Sequence, residues 1–147
     1  MVSTKGRYAL RVMADLAQHS TGAYIPLADI AKRQEISEKY LESIMSVLSK
    51  KGFVDALRGK GGGYRLNRTP DAYTVGSILK AAEGSLAPVA CLEEGAAPCK
   101  GPAGCSTLSM WTQFYQLIDR FFEDISLSDL MQNEAQGALT ATPQARP

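Results

Sequence analysis

The stretch that decides the fold is residues 26–66, PLADIAKRQEISEKYLESIMSVLSKKGFVDALRGKGGGYRL. Its apolar spacing predicts a two-turn helix over 27–34. A longer helix is expected to follow, capped by Ser37 and reaching about Lys51, before Gly52. Two helices joined by so short a connection predict a helix-turn-helix.

The residues around the turn fit that motif with one departure. Ala31 is small where the two helices approach, and Ile36, Leu41 and Ile44 supply apolar contacts between them. Glu35 stands where the motif usually has Gly, so a left-handed backbone there would carry a modest penalty. A plain helical hairpin fits the apolar spacing nearly as well, so these two helices alone leave both interpretations open.

The next residues favour the helix-turn-helix. Residues 53–57 and 64–66 alternate as strands, and residues 58–63, RGKGGG, form a basic, glycine-rich turn between them. A phosphate-binding nucleotide loop would need the GxxxxGK[ST] arrangement before a helix, which this turn lacks. A helix-turn-helix followed by a basic hairpin predicts a winged helix, mainly α with a small β-wing. In such a fold the second helix enters the major groove and the wing contacts the backbone or minor groove of double-stranded DNA.

Composition and charge agree with a DNA-binding domain. The 147 residues are 45% hydrophobic and 21% charged, ordinary values for a globular chain. Residues 1–68 carry 12 Lys/Arg and 6 Asp/Glu, whereas residues 69–147 carry 4 and 9, so the basic half would face a polyanion. No membrane span or signal peptide is predicted, which indicates a cytoplasmic protein. No nucleophile is paired with a base, and His19 is the single His, so no enzyme is predicted.

Three cysteines lie in a loop predicted over residues 85–105. Cys91, Cys99 and Cys105 are spaced C-x7-C-x5-C among Gly and Pro residues, which let the backbone turn its N–H groups toward sulfur ligands. Soft thiolates favour iron–sulfur clusters, zinc or copper(I). The absence of C-x2-C pairs disfavours structural zinc. Unliganded thiols remain the alternative.

A long helix predicted over about residues 106–124 has an apolar half. One row holds Leu108, Trp111, Tyr115, Ile118, Phe122 and Ile125, and the adjacent row holds Met110, Phe114, Leu117 and Phe121. Half a cylinder is more than one small domain easily covers, so one row is expected on its own domain and the other on a partner. This predicts a homodimer, with an intramolecular core helix as the alternative. The predicted interface residues are Trp111, Tyr115, Ile118 and Phe122.

Over about residues 1–134 the chain resembles the IscR-type iron–sulfur regulators, which belong to the winged-helix repressor family that also contains NsrR and CymR. The matching stretches are STKGRYAL, PLADIAKRQEIS, YLESIMSVLSKKG and VDALRGKGGGYRL, followed by the three cysteines and a Trp-bearing helix. Within them RGKGGGY is the most specific. The resemblance implies a dimeric repressor or activator whose long helices cross at the interface and whose loop cysteines bind a cluster, 2Fe-2S in preference to 4Fe-4S.

By position, the resemblance implies that Lys39, Glu42 and Ser43 meet base edges and that Arg58 enters the minor groove. The full set of expected DNA-binding residues is Ser37, Lys39, Tyr40, Glu42, Ser43, Arg58, Lys60, Gly61 and Gly62.

The ligand set departs from the family. Leu108 stands where IscR has a His, Arg7 stands where NsrR has an Asp, and the first cysteine interval is x7 rather than x5. The fourth ligand is therefore open. The candidates are Glu93, Glu94, Ser106, Thr107, a group from the partner subunit or an exogenous thiol.

The predicted organisation has four parts. They are a winged helix-turn-helix domain at 1–84, a cysteine-rich cluster-binding loop at 85–105, a dimerisation helix with a short terminal helix at 106–132, and a disordered tail at 133–147. The remaining predicted helices are 6–19, 74–84 and 126–131, the last capped by Ser126 or Ser128. The expected function is a cluster-sensing transcription regulator. The alternative is a winged-helix repressor without a cluster, controlled by a partner protein or by thiol oxidation.

Overall fold

The computed structural model describes residues 1–97 and 104–136 and confirms the predicted fold class, six helices in these ranges with one small antiparallel sheet. The elements are α1 (Thr4–Gln18), α2 (Leu27–Gln34), α3 (Glu38–Lys50), β1 (Val54–Leu57), β2 (Gly63–Leu66), α4 (Val75–Glu83), α5 (Leu108–Glu123) and α6 (Leu127–Gln136). Single 3₁₀ turns lie at Pro70–Ala72 and Ala90–Leu92. No helix in the described ranges combines the length and the apolar character needed to cross a membrane.

The connection between α2 and α3 has the geometry of a helix-turn-helix. Glu35, at the position that Gly usually takes in this motif, adopts a left-handed conformation with φ 55° and ψ 43°. Such a conformation costs a residue with a side chain about 1–2 kcal/mol. Backbone hydrogen bonding in the turn offsets this free-energy cost, because the N–H of Ile36 donates to the carbonyl of Ala31 at 3.1 Å. The Ser37 hydroxyl then accepts from the N–H of Tyr40 and caps α3, as predicted.

The wing is a two-stranded hairpin that is fixed to the start of α2. In β1 and β2, Val54 pairs with Leu66 and Leu57 with Gly63. Tyr64 also pairs with Ile25 through two backbone hydrogen bonds of 2.8 and 2.9 Å. Gly63 has φ 147°, and a Cβ there would collide with the backbone of Ile25, so glycine is required at this crossing. The wing therefore moves with the helix-turn-helix.

The core lies around α1, which contacts α2, α3, α4 and α6. Each large aliphatic side chain buried there stabilises the fold by about 1.5–3 kcal/mol. The almost fully buried aliphatic and Met residues of this core are Val12, Met13, Leu16, Ile30, Leu41, Ile44, Met45, Leu48, Ile78 and Leu127.

Tyr73 connects the core to the wing. Its side chain is fully buried, and its hydroxyl donates to the carbonyl of Phe53 at 2.9 Å. The same oxygen accepts from the N–H groups of Asn67 and Arg68 at 3.1 Å. Burial raises the pKa of Tyr73, which keeps this hydroxyl protonated and able to donate. The exit from the wing is thus tied to its entry.

Helix α6 is longer than predicted. It is capped by Ser126, whose hydroxyl accepts from the N–H of Asp129 at 3.0 Å while the Asp129 carboxylate accepts from the N–H of Ser126. The helix ends at Gln136 instead of Met131, so residues 133–136 are helical rather than part of the predicted tail. Leu127, Leu130 and Met131 pack on the main core and stabilise the helix there. Residues 137–147 lie outside the described ranges.

A buried ion pair holds α2 against α1. The side chain of Asp15 is 1% exposed and accepts from Nη2 of Arg33 at 2.6 Å, from Nε of Arg33 at 2.9 Å and from Nε2 of Gln34 at 2.8 Å. Burial raises the pKa of Asp15, but the hydrogen bonds from Arg33 and Gln34 outweigh it, so the pKa lies below its ordinary value.

The Asp15→Asn substitution is predicted to destabilise the fold by about 3 kcal/mol, because it leaves Arg33 without its charge partner. Since the folded pKa of Asp15 is lowered, its stabilisation is present above the unfolded pKa and is lost as the pH falls through the folded value. Urea unfolding at pH 7 and pH 3 measures both effects. Equal destabilisation by Asp15→Asn at the two pH values would contradict this account.

Candidate nucleic-acid interface and cysteine segment

A groove of about 800 Å³ runs between α3 and the wing. Its α3 side is formed by residues at helical spacing, and its other walls are the wing turn and the start of α2. The lining residues are Pro26, Leu27, Glu42, Ser46, Ser49, Lys50, Ala56, Leu57, Arg58, Gly59, Gly62, Gly63 and Tyr64. The face of α3 and the wing therefore bound one shared surface.

The expected DNA-binding residues fall into two groups. Glu42, Arg58 and Gly62 line the groove, whereas the other six lie outside its lining. Lys39 and Ser43 are exposed on α3, and Lys60 and Gly61 lie at the wing turn. The remaining two have structural contacts: the hydroxyl of Ser37 caps α3, and the ring of Tyr40 packs edge-on against that of Tyr8, with centroids 5.8 Å apart.

Three groove residues of α3 were missed in the sequence analysis. Ser46, Ser49 and Lys50 follow Glu42 by four, seven and eight positions, which places them on the same face of the helix. That periodicity was the signal available for finding them. Leu57 was also missed; it is 46% exposed at the end of β1, next to the wing turn.

The cations of this surface lack carboxylate partners within the described residues. Ion pairs in those ranges involve Arg33, Arg65, Lys80 and His19, and none involves the cations of α3 or of the wing turn. Arg65 instead holds the wing, because its guanidinium lies 4.4 Å from the ring centroid of Tyr24 and donates to the carbonyl of Gly22. The unpaired cations are left to attract a polyanion.

Two of the three cysteines are placed by the structure. Cys91 lies in the 3₁₀ turn at Ala90–Leu92, and Cys105 lies just before α5; both are exposed and neither forms a disulfide within the described residues. Cys99 lies outside the described ranges. No three metal-binding side chains converge within those ranges. Exposed thiols nevertheless have the donor chemistry that an iron–sulfur cluster requires.

The candidate fourth ligands of this chain follow Cys91 or Cys105 in the sequence. The Thr107 hydroxyl is 3.2 Å from Sγ of Cys105. Glu93 and Glu94 line a polar cavity of about 780 Å³ beside the end of α4, and Ser106 is exposed. The beginning of the predicted loop is not solvent-facing, because Leu86 is 1% exposed and packs with Val75 and Leu79.

Helix α5 packs on α4 with one of its apolar rows. Tyr115 and Phe122 contact the cluster of Val75, Leu79 and Leu86 in their own chain. Of the four predicted interface residues, these two are thus partly covered within the chain, while Trp111 and Ile118 are half-buried. The adjacent row is more open: Met110, Leu117 and Phe121 are 54%, 67% and 56% exposed.

A charged cluster adds to the contact between α4 and α5. Nζ of Lys80 lies 2.6 Å from Asp119 and 2.8 Å from Glu123. The other carboxylate oxygen of Glu123 accepts from the hydroxyl of Thr74 at 2.6 Å. The hydrogen bond from Lys80 is the main reason that the pKa of Glu123 is lowered.

The known proteins that are similar to this chain are transcriptional regulators. A family model described as Rrf2, iron-dependent transcriptional regulator, matches residues 2–133. The chain is 42% identical over 136 residues to the HTH-type transcriptional regulator IscR of Aliivibrio salmonicida (strain LFI1238). This alignment covers 92% of this chain and 80% of that relative. It is 41% identical over 132 residues to IscR of Vibrio atlanticus (strain LGP32), covering 90% and 75%.

Solved structures resemble this fold as well. CymR, the global cysteine regulator of B. subtilis, matches with a TM-score of 0.73 at 35% identity, covering 90% of this chain and 96% of that one. T. potens IscR matches with a TM-score of 0.73 at 34% identity, covering 93% and 90%.

The Arg58→Ala substitution is predicted to weaken binding to a DNA duplex, because Arg58 lines the groove and has no carboxylate partner among the described residues. The slope of log affinity against log salt should become less steep by about 0.9 for each phosphate that is no longer neutralised. Fluorescence anisotropy at several salt concentrations measures the slope. Arg120→Ala, a matched change on an exposed residue of α5, serves as the control, and equal slopes for the two variants would remove the wing from the interface.

Proposed function

The chain belongs to the Rrf2 family of iron-dependent transcriptional regulators, and we propose that it is a homodimer that binds a DNA operator under the control of an iron–sulfur cluster. The observation that carries the DNA-binding part is the groove shared by α3 and the wing. The two elements face one surface, and backbone pairing of Tyr64 with Ile25 fixes the wing to the start of α2, so α3 and the wing can engage adjacent grooves of a duplex together.

Different residues of this surface have different tasks. Lys50 and Arg58 are cations suited to phosphate oxygens. Glu42 is repelled by phosphates and can only accept hydrogen bonds when ionised, so its complementary partner is a base donor such as the amino group of cytosine. Glu42 would therefore contribute to sequence selection, and the cations to affinity.

The cluster would be held by the thiolates of Cys91, Cys99 and Cys105. When bound, it supplies a centre that responds to oxidation and to exchange of a labile ligand. The fourth ligand is an oxygen donor of this chain, a partner group or an exogenous thiol, because Leu108 has no donor atom. Among the residues of the chain, the Thr107 hydroxyl already lies beside Cys105.

Both ends of the cysteine segment are attached to helices of the fold. Leu86 anchors the start of the segment in the apolar cluster shared with α4 and α5. Cys105 lies three residues before α5 begins. A change at the cysteines would act on both ends of this connection, and Lys80 would carry the change from α5 to α4. Couplings of this kind are typically about 1–3 kcal/mol.

The dimer would form through the open row of α5. Exposed large apolar residues in an otherwise polar surface mark an interface, and a two-fold axis would place the same row on both subunits. Met110, Leu117 and Phe121 are therefore proposed at its centre, beside the half-buried Trp111 and Ile118.

The experiment that tests cluster binding is anaerobic purification followed by absorption spectroscopy and iron and sulfide analysis. The native protein should be coloured and contain iron and acid-labile sulfide. Cys99→Ala should lose the chromophore and remain folded, whereas Ser109→Ala, an exposed change on α5, should keep it. Retention of colour and iron by Cys99→Ala would overturn this ligand assignment. A colourless native protein that binds DNA would favour control by thiol oxidation or a partner protein.

The Leu117→Glu substitution is predicted to convert the dimer to a monomer without unfolding it, because Leu117 is 67% exposed in the single chain. A charge placed at the centre of an apolar interface loses its hydration on association. Sedimentation velocity gives the oligomeric state, and Gln116→Glu, on the exposed polar face of the same helix, is the control. A dimer unaffected by Leu117→Glu would contradict this interface.

A further inference from the structure

The guanidinium of Arg11 is held in a defined orientation on the surface of α1. Its Nε donates to Oε1 of Gln34 at 3.1 Å, and its Nη2 donates to the carbonyl oxygen of Gln34 at 3.2 Å. Its central carbon lies 5.1 Å from the ring centroid of Tyr8. An exposed arginine with three such contacts has already given up much of the side-chain entropy that binding would otherwise cost.

The buried Asp15 determines how Gln34 receives Arg11. Nε2 of Gln34 donates to the Asp15 carboxylate at 2.8 Å, which leaves Oε1 of the same amide pointing to Arg11. A carboxylate can only accept, so the amide orientation is set by this contact. Consecutive hydrogen bonds thus connect the buried Asp15, through Gln34, to the exposed guanidinium of Arg11.

This arrangement lies beside the start of α3. Tyr8, under the Arg11 guanidinium, packs its ring edge-on against Tyr40, in the first turn of α3. At 3.6 residues per turn, Tyr40 lies about 135° around α3 from the centre of the groove-lining residues. Arg11 therefore borders α3 on the side away from the wing.

The charge on this side is not neutralised within the described part of the protein. Arg7 precedes Arg11 by one helical turn and is also exposed. Neither arginine has a carboxylate partner within the described residues, whereas Arg33, on α2, is paired with Asp15. An arginine held by neutral acceptors keeps its full charge and unused N–H donors, which match the geometry of a phosphate group.

We propose that Arg7 and Arg11 form a second phosphate-binding surface, so that the DNA backbone is contacted on both sides of α3. The wing contacts one strand of the duplex, and α1 contacts the backbone on the opposite edge of the major groove. The partner chemistry is the phosphodiester backbone, without base selection. This inference rests on the proposed DNA binding.

The test measures binding of the full-length protein to a fluorescein-labelled duplex of mixed sequence, between about 50 and 200 mM salt. Arg11→Gln and Arg7→Gln should each make the slope of log affinity against log salt less steep, by about 0.9 for each phosphate left without its cation. Arg11→Gln should also weaken binding roughly tenfold at the lowest salt concentration. Arg120→Gln removes the same charge from an exposed position on α5 and should leave the slope unchanged.

Arg11→Lys separates charge from orientation. It should keep the salt slope of the native protein but bind more weakly than the native protein, because a lysine cannot reproduce the two hydrogen bonds to Gln34 and the stacking on Tyr8. Arg7→Gln should not disturb folding, since the Arg7 side chain makes no hydrogen bond or ion pair within the described residues. A reduced slope for this variant therefore reports on DNA binding and not on a folding defect.

The outcomes separate this inference from the proposed function. If the native protein binds the duplex and both Gln variants show the slope of Arg120→Gln, the α1 surface is overturned while DNA binding stands. If the native protein fails to bind duplex DNA, both are overturned. Reduced slopes for Arg7→Gln and Arg11→Gln, with the native slope for Arg11→Lys, support the second phosphate-binding surface.

Discussion

The buried carboxylate of Asp15 is the interaction on which the geometry of the DNA-facing surface depends. A charge that is 1% exposed in an apolar core persists only when hydrogen-bonded partners compensate its missing hydration, and Arg33 and Gln34 supply them. Both partners lie at the end of α2, directly before the left-handed Glu35. The same contacts that stabilise the charge therefore fix the end of α2 against α1, next to the turn that leads into α3, and through Gln34 they fix the position of Arg11.

The remaining surface elements are attached to this frame by short connections. Tyr64 pairs with Ile25 just before α2, so the wing follows the position of α2. Helix α5 is attached on the other side of the domain, where Lys80 bridges two carboxylates and Leu86 joins the apolar cluster. In the proposed function, a change at the cysteines would act on a domain whose parts are mechanically linked. These contacts are the physical basis for the proposed coupling between the cysteine segment and the groove.

The parts of the fold that depend on neighbouring residues were predicted from the sequence. The bounds of α2 and the Ser37 cap follow from short-range backbone chemistry. Features that depend on distant residues were missed. Asp15 is an acidic residue between apolar neighbours, and nothing local shows that Arg33, 18 positions later, will pair with it. Similarly, the row of α5 that faces its own domain depends on where α4 and Leu86 lie.

Cluster occupancy of the cysteine segment is proposed to control the DNA affinity of the groove. The most direct test selects binding sequences from a random DNA pool with the anaerobic, cluster-loaded dimer, and then compares the affinities of the loaded and cluster-free protein for the selected duplex. A coupling of about 1–3 kcal/mol predicts affinities that differ by about tenfold, within a range of 5–150-fold. Equal affinities of the two forms, with the cluster verified by iron and sulfide analysis, would contradict this proposal.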